Sequence, residues 1–232
     1  MKRLTSRQKI LLGCFAMVLC IVGDYLLGFG TIGMNGDPDA FLGVTAHVVP
    51  DWRYALSSVL GFACVPFFAC GALELLRVME KKYRLQGWPY RLFKAANWGG
   101  IFYFAFIHIG ICMLPVVFNA GMEVTGDVNT SLGMALRVAK SIAVPMAAAF
   151  LVCDGLVTIA WTWMVLKGML PVPKAAAVCS PLFTVVIGQL ANVLAEGLDS
   201  GFESLGWFLI YLVCAVCLTK RGERIQGSSG EA

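Results

Sequence analysis

Charge is what this chain has least of. Charged residues make up 14% of the 232 and hydrophobic ones 59%, with a mean hydropathy of +0.77, too little polar surface for an ordinary soluble domain. Histidine is rarer still, with only His47 and His108. Two are too few for a three-histidine zinc hydrolase, and no ligand pair has the recurrent spacing of a zinc motif. A Walker lysine loop, a strand-associated glycine fingerprint and a Gly-x-Ser-x-Gly elbow are all missing, so neither nucleotide binding nor α/β-hydrolase chemistry has a motif to rest on. No cofactor and no metal are expected. The net charge of +4 does not come from a basic patch interleaved with aromatics, which excludes nucleic acid as a partner. Short alternating segments, the mark of membrane strands, are absent as well.

Long apolar runs take their place, each about 20 residues, the length a helix needs to cross a ~30 Å hydrocarbon core. They lie at about 10–29, 53–78, 91–118, 132–166, 174–196 and 202–218. The expected fold class is an all-α polytopic membrane protein, a single six-helix domain over residues 1–220 followed by a polar tail, 221–232. The fourth run is longer than one crossing requires, so its first turns, with Arg137 and Lys140, are expected to lie at the interface or to tilt before Pro145. Residues 119–131 read as a polar connection. Six spans place both ends on one side, and the charges agree: 15 of the 18 Lys and Arg residues fall on the side assigned to the cytoplasm, as the positive-inside rule requires of an N-in, C-in topology. None of the nine cysteines sits in an outer loop, so they read as buried thiols without a structural disulfide. Tyr25, Trp52, Trp88 and Trp207 lie near span ends and read as interfacial anchors.

Ionisable groups inside a bilayer are costly and turn toward partners or water. Gln189, Asn192 and Glu196 recur at i, i+3 and i+7, one polar face on an otherwise aliphatic helix. Asp24 lies roughly 8 Å below the outer end of the first span by helical rise. Arg53 and Glu203 start the second and sixth spans, His108 falls within the third and Asp154 near the middle of the fourth. Most of these converge on the outer leaflet, which points to a polar pocket between helices. A histidine and carboxylates in such a pocket provide for acid/base chemistry. The catalytic candidates are therefore His108, Asp24 and Glu196, and the ligand-binding candidates Arg53, Asp154, Gln189, Asn192 and Glu203. Glu74 and Arg77, three residues apart, read as a local helix pair.

Two segments, Gly23-Asp24-Tyr25-Leu26-Leu27-Gly28 and Thr45-Ala46-His47-Val48-Val49-Pro50-Asp51-Trp52-Arg53, give the chain a family likeness. With Ile107-His108, Leu114-Pro115 and Glu203-Ser204-Leu205-Gly206-Trp207, it resembles a bacterial family of small multispanning membrane proteins defined as a domain of unknown function. The resemblance implies a bacterial cytoplasmic-membrane location and assigns no activity. The functional expectation is binding or modification of a small amphipathic or lipid-like molecule. The alternatives are a proton- or cation-linked transporter and a sensor or structural membrane subunit. The lipid bilayer is the one partner expected of every version, and the oligomeric state stays open.

Overall fold

The computed structural model describes residues 3–28, 50–194 and 201–227. Six principal helices run through them: α1 (Ser6–Gly28), α2 (Asp51–Lys81), α3 (Trp88–Thr125), α4 (Val128–Leu166), α5 (Pro181–Leu194) and α6 (Phe202–Gly227). No strand occurs among the described residues. Five of the six are long and apolar enough to cross a membrane, while α5 is a shorter apolar helix. The architecture is an all-α polytopic bundle.

Glycine sets how closely the helices approach. α1 packs chiefly on α2 and α6. A β-carbon at Gly71 would fall 2.6 Å from the Gly13 backbone, and one at Gly13 would overlap the Tyr211 ring, so only these small residues allow the crossing. Small residues let backbones meet where lipid supplies no hydrophobic drive to helix pairing. Around this crossing sit Phe68, Phe93, Trp161, Trp207 and Tyr211, all buried. The buried polar pair within it is satisfied: Tyr211 donates to Asn97 Oδ1 at 2.7 Å, and Asn97 Nδ2 donates to the Phe93 carbonyl at 2.9 Å.

One expectation about the middle of the chain needs correction. Residues 119–125 continue α3 instead of leaving it as a polar connection, and the reversal takes only Gly126 and Asp127. Gly126 adopts φ +64°, a conformation that costs glycine little, and its N–H closes on Met122 O. Asp127 then accepts from the Thr130 N–H at 2.7 Å and starts α4. α4 is one helix of 39 residues with Pro145 inside it. Its irregularity comes later, at Leu151–Gly155, where a π turn interrupts the α-helix.

Candidate functional site

The polar side chains meet where α1, α2, α3 and α6 come together. The His108 ring of α3 lies against glycines of two neighbours. A β-carbon at Gly61 would overlap ring atoms, and one at Gly23 would stand 3.0 Å from Nε2. In that slot Nδ1 is 3.3 Å from Asp24 Oδ1, while Nε2 is 2.8 Å from Ser57 Oγ and 3.1 Å from the Ser57 carbonyl. The Ser57 hydroxyl lies 2.8 Å from the Gly23 carbonyl, which takes its single proton. Its oxygen is then an acceptor for His108 Nε2–H and for the Cys112 thiol at 3.4 Å. Both ring nitrogens therefore face acceptors, the arrangement an imidazolium fills with two donors. Asp24 Oδ2 is engaged as well, accepting from Ser204 Oγ of α6 at 3.0 Å.

A second pair of acids lies behind the first. Asp154 sits in the π turn of α4 and is fully buried. Its Oδ1 accepts from Trp207 Nε1 at 2.6 Å, and its Oδ2 is buried without a donor. The Glu203 carboxyl lies against it and is a donor only as the neutral acid. π turns shift the register of a helix by a residue and recur at functional positions; here the turn carries the one carboxyl of α4.

Beside these groups is a cavity of about 90 Å³, lined by Asp24, His108, Glu203 and Ser204 on its polar side. Met17, Cys20, Phe104, Ile107, Ile111 and Trp207 complete the wall. Since a water occupies ~30 Å³ of liquid, this is room for a few waters or for the head of a small molecule, not for a whole lipid. No group of three metal-ligating side chains occurs among the described residues.

The structure brings Asp24, His108, Asp154 and Glu203 into one neighbourhood, and leaves other sequence candidates apart from it. Arg53 donates to the Tyr25 carbonyl at 3.3 Å, and the ion pair of Asp24 is with His108 instead. On α5 the buried positions are Pro181, Thr184 and Gly188, where a β-carbon at Gly188 would overlap Phe202. Gln189 is exposed, Asn192 half-buried, and neither lines the cavity. Glu196 and His47 lie outside the described residues. Trp207 is no interfacial anchor: it is buried to 1% exposure with its indole N–H on Asp154.

Ser57, Cys112, Ser204 and the glycine slot are the site residues that sequence reasoning missed. The visible trace of them is Gly61 four residues after Ser57, on one helical face. A serine within an apolar helix gives no other signal, because its hydroxyl usually bonds its own helix.

The model of a family of unknown function, DUF6796, matches residues 1–221. The chain belongs to that family. None of the curated proteins and none of the solved structures matches it.

Proposed function

Family membership supplies no reaction to carry over, so we propose from the geometry that the cavity takes the polar head of a small amphipathic molecule. The observation that carries this is a wall of two kinds: Asp24, His108, Glu203 and Ser204 face Met17, Phe104, Ile107 and Ile111. Polar groups fix a head and apolar ones accommodate the start of a chain. The Asp24–His108 pair stands ready to exchange a proton with a bound head. In this proposal the protein lies in a bacterial cytoplasmic membrane with both termini inside and the cavity in the outer leaflet. A reporter active only outside the cell then works after Met122 and fails after Gln86.

Thermal unfolding in a non-ionic detergent tests the binding reading. At least one of a set of twelve-carbon amphiphiles with neutral, anionic or cationic heads should raise the midpoint of the wild type. The rise should vanish in Ile107→Trp, which fills the cavity. A set in which no member shifts the wild type overturns the reading.

A second reading, proton- or cation-linked transport, has one observation in its favour. Buried polar groups continue beyond the cavity from Asp154 through Trp207, and on to Tyr211 and Asn97. Proton flux into proteoliposomes under an imposed potential, lost in Asp154→Asn, would support it over binding alone. A tight bilayer with the wild type would remove it and leave binding, sensing or a structural role.

A further inference from the structure

We infer that the head group this cavity recognises is a primary ammonium, carried on an alkyl chain. The inference rests on the binding reading above and names its ligand class.

Charge is the first ground. The ionisable groups lining the cavity are Asp24, Glu203, His108 and the thiol of Cys20. The imidazole is already committed, with Asp24 Oδ1 at one nitrogen and Ser57 at the other. It offers an entering anion no free donor. Glu203 has no basic partner among the described ion pairs, which join Glu74, Glu80 and Asp24 to Lys, Arg or His. Behind it lies a second carboxyl, the buried Asp154, in contact with Glu203 itself. The wall thus holds more carboxyl groups than cations and is short of donors, the reverse of what a carboxylate or phosphate head requires.

Aromatic geometry is the second ground. Phe104 and Trp207 both line the cavity, with ring centroids 5.4 Å apart and planes at 78°. Two rings set edge to face form a corner, and a cation near an aromatic face is attracted by the ring quadrupole. Size and hydrogen bonding then separate the organic cations. About 90 Å³ admits an ammonium and its first methylenes. A primary ammonium brings three N–H donors to the carboxyls of Glu203 and Asp24, whereas a quaternary head brings none and is bulkier. Ile107, Ile111 and Met17 receive the chain.

The test uses the full-length protein in a maltoside detergent at pH 7.5, titrated with dodecylamine, dodecyltrimethylammonium, dodecanol and dodecanoate, and read by tryptophan fluorescence. Dodecylamine should bind at least tenfold more tightly than any of the other three. Glu203→Gln should weaken the amine tenfold or more and leave dodecanol unchanged. The wild-type comparison stands by itself should that variant fail to fold. Dodecanol or dodecanoate binding as tightly as the amine overturns the inference, as does amine binding unchanged in folded Glu203→Gln. In either case the cavity still binds an amphiphile. Failure of all four to bind overturns the binding reading itself.

Discussion

Glu74 and Asp24 are both paired with a base, and the two pairs are built differently. Glu74 is buried, but its partners reach it from exposed positions on α2 and α1. Arg77, half exposed, donates Nε at 3.0 Å, and Lys9, also exposed, stands 3.7 Å away. Asp24 meets His108 across two helices, with the side chains only 25% and 11% exposed. The first pair is local, redundant and open to water. The second is long-range, has one base, and depends on a slot that two glycines keep open. Exposed ion pairs contribute about 0–1 kcal/mol. Removing one partner of a buried pair costs about 3–5 kcal/mol, because the other charge stays desolvated.

The largest effect expected from this contrast is on His108. His108→Ala should destabilise the protein by about 3 kcal/mol in denaturant titrations, and a further Asp24→Asn should recover part of the loss. The coupling should be about 1–3 kcal/mol, the range for groups in direct contact. The matching cycle at Arg77→Ala and Glu74→Gln should give under about 1 kcal/mol, since Lys9 remains beside Glu74. Equal coupling in the two cycles would erase the distinction.

Gly61→Ala comes next. Its methyl group would overlap the His108 ring, and overpacking of this kind costs about 1–3 kcal/mol. The same substitution at Gly133, where a β-carbon meets nothing within 4 Å, should be neutral or slightly stabilising. Unfolding midpoints that fall equally for both would show that the slot does not hold the ring.

Trp207→Phe keeps most of the buried ring and removes the donor to Asp154 Oδ1. Leaving that oxygen unsatisfied should cost about 1–3 kcal/mol, visible in the same titrations. An unchanged midpoint would mean that water replaces the indole N–H.

The smallest effect lies outside the membrane-spanning helices, at Asp127. Its carboxylate accepts from the Thr130 hydroxyl and N–H, which hold its pKa below the usual aspartate value. A depressed folded-state pKa contributes stability above the unfolded value and loses it as pH falls through the lowered one. Asp127→Asn should therefore flatten a slight acid-side loss of stability, measured by unfolding at pH 2 to 6, and leave neutral pH almost unchanged. An acid limb identical in the two proteins would show that the carboxylate adds nothing beyond its cap.

The Glu74–Arg77 pair was legible in the sequence because a spacing of three already places two side chains on one helical face. Asp24, His108, Asp154 and Glu203 were legible as polar groups needing partners, since each interrupts an apolar run. Which partner each would take was not legible: Asp24 pairs with His108, far along the chain on α3. The stripe on α5 shows a related limit. Periodicity establishes that Gln189 and Asn192 share a face, but the rotation of that face is set by what packs best. There, Gly188 packs against Phe202 and Gly206 against Pro181. Trp207, near a span end by position, is drawn into the core by the carboxyl of Asp154.

By itself, then, the sequence determined the all-α class, the long apolar helices and the set of ionisable residues that had to find a place inside them. Those follow from local quantities: the length of an apolar run against the thickness of a bilayer, and the cost of each polar group within it. Only the tertiary structure decided the pairing of His108 with Asp24 and Ser57, the contact of Asp154 with Glu203 and Trp207, and the outward turn of Gln189. Those depend on the rotation and approach of helices far apart in the chain, which small residues at the crossings set and no single segment encodes.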